Sequence, residues 1–236
     1  MLRKMTSWFC RRFQSARNYG ALTLAETFRR IYRTGAWGSD GERFYSGPGS
    51  RGTCSKDYCA SVIQFIREHQ VESVVDLGCG DFSVGRRITE ATRVRYTGID
   101  VVPELIEHLR STVHDPLISF QCADITMDRL PAADLCLIRQ VLQHLSNDEI
   151  SRVLANLGGF SHVLFTEHLP LHPVSINRDK PHGPDIRERY GSGVYLEQQP
   201  FSLPVVEVWK YPLNQNSILK TVLLRQDGNR IPDAAA

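Results

Sequence analysis

Three aspartates end short apolar runs in the middle of the chain: Asp76 in "SVVDLGCG", Asp100 in "YTGIDVV" and Asp124 in "CADIT". Gly78 and Gly80 follow the first of them, with Cys79 between. Paired glycines let backbone approach a ligand without side-chain obstruction. A carboxylate at the end of the next strand can accept hydrogen bonds from both hydroxyls of a ribose, and a third acid can accept from an exocyclic adenine amine. Together these residues ask for an adenosine.

Two cofactor classes offer one. A dinucleotide fingerprint also has an acid about twenty residues beyond its glycines, but it wants a third glycine so that a pyrophosphate can rest on a helix N-terminus. Here the run is "GCGDFS", with Ser83 where that glycine should be, and Asp76 is a poor neighbour for a pyrophosphate. S-adenosylmethionine has no phosphate and carries an ammonium and a sulfonium, so an acid-lined mouth suits it.

The elements that must position these residues alternate. "SKDYCASVIQFIREHQ" reads as a helix over residues 55–70 with Ser55 as its cap. Then follow strand "SVVDL", helix "SVGRRITEA", strand "RYTGID", a helix opened by Pro103, strand "LISFQCAD", strand "ADLCLIRQ", helix "NDEISRVLANLGG" and strand "SHVLFTEH". Strand and helix alternating at this pitch predict a doubly wound α/β domain, a mostly parallel sheet with helices on both faces. "VVEVWKY" and "SILKTVLLRQ" predict an antiparallel hairpin at the C-terminal edge.

In this order and spacing, "VVDLGCGDF", "GIDVVPELI", "CADI" and "DLCLIRQVLQHLSNDEI" resemble the class I S-adenosylmethionine-dependent methyltransferase family over roughly residues 56–168. The resemblance implies the Rossmann-like fold of that family. It implies that Asp76, Gly78, Cys79 and Gly80 line the methionine moiety, Asp100 and Val101 the ribose, and Asp124 and Ile125 the adenine. Arg139 and Gln140 would follow the fourth strand at the active-site rim. Where the family often has a further glycine, this chain has Phe82.

Methyl transfer is an in-line displacement, and a hydroxyl acceptor must also lose a proton. His144 and His168 fall at the carboxyl ends of strands and are the candidate bases, with Glu167 placed to orient His168. His144 also reads as an ordinary structural histidine. The Asn/Asp-Pro-Pro-aromatic motif of base or glutamine methylation and the Pro-Cys motif of cytosine carbon methylation are both missing, which counts against nucleic acid. Residues 169–204 are rich in proline, glycine and hydrogen-bonding side chains without a sustained period. They read as a loop for a small polar or saccharide acceptor, with Arg187 and Tyr195 binding it. Trp37 and Tyr45, in the glycine-rich stretch 37–52, read as closing groups over the site. Protein or RNA methylation is the rival activity, and a silent cofactor-binding module the rival from another class. No spaced carboxylate set suggests a metal.

At 236 residues the chain fits one domain of residues 36–236 behind a basic segment of residues 1–35. Within that domain we expect a cap and helix over 36–70, a cofactor core over 71–168, the acceptor loop over 169–204 and terminal strands over 205–225. Residues 1–33 hold eight Lys and Arg against the single acid Glu26 in a chain of net charge +2, so the remainder is acidic. "MLRKMTSWFCRRFQSAR" alternates apolar and basic residues as an interfacial helix does. A surface helix on its own domain, contact with an anionic membrane and contact with nucleic acid are its three readings. Three of the six cysteines fall in predicted strands or in the glycine turn, which suggests reduced thiols and a cytoplasmic protein, peripheral at a membrane under the second reading.

Overall fold

The computed structural model describes residues 19–224. The basic stretch from Leu2 to Arg17 therefore lies outside the described residues. The elements are α1 (Leu24–Thr34), α2 (Gly52–Glu68), β1 (Ser73–Leu77), α3 (Ser83–Thr92), β2 (Arg95–Asp100), α4 (Pro103–Thr112), β3 (Ile118–Cys122), β4 (Ala133–Arg139), α5 (Asn147–Ala155), β5 (Phe160–Pro170), β6 (Val205–Pro212) and β7 (Ser217–Leu224). Short 3-10 turns occupy Pro48–Ser50, Leu142–His144 and Arg187–Tyr190.

One seven-stranded sheet runs β3-β2-β1-β4-β5-β7-β6. The first five strands are parallel, and β7 lies antiparallel between β5 and β6. This is the doubly wound sheet with an antiparallel hairpin that the alternation predicts. Strand order reverses between β1 and β4, and in open α/β sheets that reversal opens a crevice beyond the carboxyl ends of the strands. Alternation along β1, β4 and β5 feeds two cores. Val74, Leu135, Leu137 and Leu164 pack with Tyr58, Val62 and Phe65 of α2 and Leu105 of α4. Val75, Cys136, Ile138 and Phe165 pack with Ile150 and Val153 of α5. Burial on both faces is why the central strands read as continuous apolar runs.

Two helix boundaries differ from expectation by three residues or more. Helix α2 begins at Gly52, three residues early, and Ser55 is an interior residue whose hydroxyl donates to the carbonyl of Ser50 at 3.2 Å. Helix α5 ends at Ala155, before the Gly158-Gly159 turn. A helix absent from the sequence reading, α1, starts at a capping box. The Thr23 hydroxyl accepts from Glu26 N at 3.2 Å and the Glu26 carboxylate accepts from Thr23 N at 2.8 Å. The Thr-x-x-Glu spacing was the available signal. Although α1 falls on the N-terminal side of residue 35, Leu24, Phe28 and Tyr32 pack on the two cores.

Candidate active site

The glycine turn after β1 is held against β2 by Gly78 N and Cys79 N, which both donate to Ile99 O, at 2.8 and 3.0 Å. Gly78 has φ 75°, and a Cβ there would meet the Val141 side chain at 2.4 Å. Gly80 has φ 56°, and a Cβ there would meet the Ser46 hydroxyl at 2.3 Å. Both positions therefore require glycine. Phe82, where the family often has another glycine, adopts the same left-handed region at φ 63° and ψ 6°. That conformation costs an L-residue roughly 1–2 kcal/mol. Burial of the ring offsets the cost: Phe82 is fully buried, 5.3 Å from the Tyr96 ring and 5.1 Å from the Phe120 ring between centroids. Cys79 is a filler, its sulfur 2.9 Å from where a Cβ on Gly98 would lie, and burial pushes its thiol far above the usual range.

All ten predicted cofactor residues, Asp76, Gly78, Cys79, Gly80, Asp100, Val101, Asp124, Ile125, Arg139 and Gln140, line one cavity enclosing about 1020 Å³ with its open mouth included. Asp100 accepts from Gly80 N at 3.2 Å and Val102 N at 3.1 Å, so its orientation is fixed and each oxygen keeps a free lone pair. Burial raises its carboxyl to about 6. Burial also lifts Asp76 to about 6, partly offset by the Tyr96 hydroxyl that donates to it at 2.7 Å. Asp124 is fixed by Thr126, whose N and hydroxyl donate to it at 2.9 and 2.7 Å.

Arg139, at the end of β4, is a half-buried cation with little to neutralise it. Its Nη2 donates to Gly49 O at 2.6 Å and its guanidinium stacks 5.0 Å from the Tyr58 ring centroid. Its Nε has no hydrogen-bond partner among the described residues, nor has the Tyr58 hydroxyl. Burial lowers the Arg139 pKa, while Asp76 and Glu167 act on it only as distant charges. Arg139 is the one cation among the residues that line the cavity, so this end of it favours an entering carboxylate. Hydrogen-bond acceptors, a turn without side chains and one guanidinium are thus gathered in a single cavity.

The lid was largely missed by sequence reasoning. Leu24, Phe28 and Tyr32 of α1, with Trp37, Ser46, Ser50 and Asp81, also line the cavity. Ser46 and Asp81 exchange two bonds: Ser46 N donates to the Asp81 carboxylate at 2.9 Å, and Asp81 N donates to the Ser46 hydroxyl at 2.7 Å. Burial would raise Asp81, but the bonds from Ser46 and Ser83 and the Arg51 guanidinium hold it below the usual carboxylate range. Trp37 lies over the site, 5.1 Å from the His144 ring and 5.5 Å from the Tyr32 ring. Tyr45 does not line the cavity. Its ring sits half-buried beneath the Arg51 guanidinium at 5.5 Å, so the closing role falls to Trp37 alone of the two.

His144 lines the cavity, in the 3-10 turn after β4. Its Nδ1 faces Gly183 O at 3.1 Å, and Nε2 lies 3.4 Å from the Gln143 amide nitrogen. A carbonyl accepts only, so Nδ1 carries the proton and Nε2 the lone pair. Burial, reinforced by the Lys180 charge, depresses its pKa to about 3. Glu167 holds that turn, accepting from Leu142 N at 3.0 Å and Gln143 N at 3.2 Å, while its burial lifts its carboxyl to about 8.

Three further expectations do not fit this geometry. His168 is absent from the cavity lining, and Glu167 does not orient it. Neighbours on a strand point to opposite faces, and Glu167 is committed to the 142–143 backbone. Arg187 is 1% exposed, and its guanidinium donates to Arg178 O at 2.5 Å and Leu145 O at 2.7 Å, so it ties the loop together from inside. Tyr195 lines a separate shallow groove with Leu169, Pro170 and Lys210, its hydroxyl donating to Pro170 O at 3.4 Å. Among the described residues no group of three or more His, Cys, Asp or Glu is arranged to hold a metal.

Residues 74–159 match the family model of a methyltransferase domain. No curated protein matches the sequence. Among solved structures, the chain is similar to the N-methyltransferase NodS from Bradyrhizobium japonicum WM9 in complex with S-adenosyl-L-homocysteine. Identity is 15% and the TM-score 0.56, over 85% of this chain and 100% of that one. It is similar to the N-terminal domain of EvdMO1 in the presence of S-adenosyl-L-homocysteine and D-fucose, with 12% identity and TM-score 0.53 over 86% and 97%. It is also similar to human N-acetylserotonin methyltransferase in complex with S-adenosylmethionine, with 17% identity and TM-score 0.50 over 87% and 60%, so it spans 60% of that enzyme's length. At these identities the likeness establishes the fold.

Proposed function

We propose, starting from a chain that carries a class I S-adenosylmethionine-dependent methyltransferase domain, that it methylates a hydroxyl of a small polar molecule or saccharide. When bound, S-adenosylmethionine supplies an electrophilic methyl group. Asp100 and Val101 would hold its ribose, Asp124 and Ile125 its adenine, the turn from Gly78 to Gly80 its aminoacyl chain, and Arg139 with Tyr58 its carboxylate. Phe28, Tyr32 and Trp37 exclude water from the cavity.

The observation that carries the O-methylation reading is the tautomer of His144. Gly183 O holds the Nδ1 proton, which leaves the lone pair on Nε2, 3.4 Å from the Gln143 amide nitrogen, in a ring that lines the cavity with the cofactor residues. A pKa of about 3 keeps the ring neutral at physiological pH. Such a ring is a weak base, but an alcohol oxygen becomes strongly acidic as it takes a methyl group, so a weak acceptor at the right position suffices. Support for a small acceptor over a nucleic acid comes from charge. Asp76, Asp81, Asp100 and Asp124 line the cavity against the single cation Arg139, which disfavours a phosphate backbone. An amine acceptor would need no such base.

The test is release of S-adenosylhomocysteine with panels of hydroxylated small molecules and saccharides, amines and RNA oligonucleotides. We expect turnover with a member of the first panel. His144→Gln should lower its kcat by about 100-fold, the scale of general-base catalysis, with S-adenosylhomocysteine affinity unchanged. Turnover confined to amines or RNA, or full kcat in His144→Gln, refutes the reading.

A further inference from the structure

Residues 180–184, "KPHGP", belong to the long loop yet touch Trp37 and His144 of the cavity lining and the turn that leads into α1. Gly183 N donates to His144 O at 3.0 Å, and Pro184 O accepts from the Trp37 indole at 3.2 Å. His182, between them, was not singled out by sequence. Its Nδ1 lies 2.6 Å from Glu149 Oε1, and its Nε2 lies 3.2 Å from Tyr19 O and 3.1 Å from Leu22 O. All three partners are acceptors. A neutral imidazole has one N–H, so only a ring protonated on both nitrogens satisfies this arrangement.

The partners are fixed on two different bodies. Tyr19 and Leu22 form the turn that leads into Thr23, the N-cap of α1. Glu149 sits in the first turn of α5, where its other oxygen accepts from Ser146 N and the Ser146 hydroxyl at 2.7 and 2.8 Å. Helix α1 in turn supplies Leu24, Phe28 and Tyr32 to the cavity.

We propose that His182 is a positioning residue which, as an imidazolium, clasps α1 to α5 and so holds the lid over the cofactor cavity. Only the identity of the ligand rests on the function proposed above. The Glu149 carboxylate facing it raises the His182 pKa. Burial opposes ionisation of Glu149, but the His182 and Ser146 bonds hold it at about 2. The remaining titratable groups around the ring are Lys180 and Asp185 from its own loop and the phenols of Tyr19 and Tyr190, with the Arg30 guanidinium of α1 lying 5.2 Å over the Tyr19 ring. Because the folded pKa is raised, the clasp is complete below the ordinary histidine pKa and is lost as pH rises through the raised value.

Glu149→Gln tests this. Glutamine supports the same capping box, and its amide N–H can donate to a neutral Nδ1, so the variant keeps both ends of the clasp without the charge. Calorimetry with S-adenosylhomocysteine from about pH 6 to about pH 9 should show affinity falling in the wild type. The fall should be about tenfold for each unit by which lid closure raises the His182 pKa. It should vanish in Glu149→Gln, whereas Asp76, Asp100, Glu167 and Lys180, common to both proteins, leave any shared slope in place. Ring-nitrogen NMR of ligand-free protein should show His182 doubly protonated at about pH 6, with hydrogen exchange in residues 19–34 rising with pH more steeply in the wild type than in the variant. Identical pH profiles in the two proteins, or a neutral His182 ring at that pH, overturn the clasp. If no S-adenosylhomocysteine binds at any pH, the cofactor assignment fails, and the ring titration with hydrogen exchange still decides the clasp.

Discussion

Replacing Arg139 by methionine tests the electrostatic logic of the cavity most directly. Arg139 is half-buried, makes one hydrogen bond to Gly49 O, stacks on Tyr58 and leaves Nε without a partner among the described residues. If a ligand carboxylate completes it, the bond is charge-assisted and contributes about 1.5–3 kcal/mol, or roughly 10- to 150-fold in affinity. Comparing wild type and variant with one ligand would mix that loss with the lost Gly49 contact, so the ligand must be varied too. Calorimetry with S-adenosylhomocysteine and with its decarboxylated analogue on both proteins closes a cycle in which the protein's own contacts cancel. The wild type should prefer the carboxylated ligand by that roughly 10- to 150-fold, and Arg139→Met should bind the two within a few-fold. Equal discrimination by both proteins would show that the carboxylate goes elsewhere and that Arg139 is a strut for the Gly49 loop.

Two other outcomes follow from groups described above. Burial lifts Asp76 to about 6, so the folded state holds a proton that the unfolded state releases near pH 4. Stability therefore falls as pH rises through that window. Asp76→Asn, which keeps an acceptor for the Tyr96 hydroxyl, should make the ligand-free protein more stable at pH 7 by about 1–3 kcal/mol while weakening S-adenosylhomocysteine binding; thermal melts that show no gain, or a gain undiminished at about pH 4, contradict it. If residues 1–18 form a basic interfacial segment, deleting them should leave S-adenosylhomocysteine affinity unchanged and reduce co-sedimentation with anionic vesicles. Equal sedimentation of both forms removes the membrane role.

What could be read from sequence was local. Asp100 ends β2, Asp76 is the last residue but one of β1 and Asp124 lies two residues past β3, and strand order alone carries those ends to one crevice. Asp81 sits in the same turn but escaped notice, because its partner Ser46 is 35 residues away and unpatterned. The loop misled for a physical reason: Arg187 and Asn177 have the hydrogen-bonding chemistry of ligand binders, and the same chemistry satisfies the carbonyls of an irregular segment. Arg187 serves Arg178 and Leu145, and Asn177 Nδ2 donates to Tyr195 O and Gln199 O, both at 2.8 Å. His168 was chosen over its neighbour by residue type, yet strand alternation turns Glu167 toward the 141–144 turn. Helix α1 was obscured by a basic composition that drew attention to charge, although its capping box stood in plain order.

The position of β7 sets a schedule for synthesis. Of the described strands it is the last in sequence, yet it lies inside the sheet, pairing Val163 to Pro170 of β5 on one side and β6 on the other. The glycine turn and the three aspartates have all emerged by residue 124, so the parallel half can form while the chain is still growing. Until residue 224 is free, however, β5 presents an unpaired edge of eight residues, and β6, made earlier, has nothing to pair with. An open edge recruits other strands. The nascent chain thus passes through an interval in which its adenosine pocket can be shaped while its sheet remains adhesive, and a chaperone or early ligand acting in that interval would protect yield without altering the finished fold.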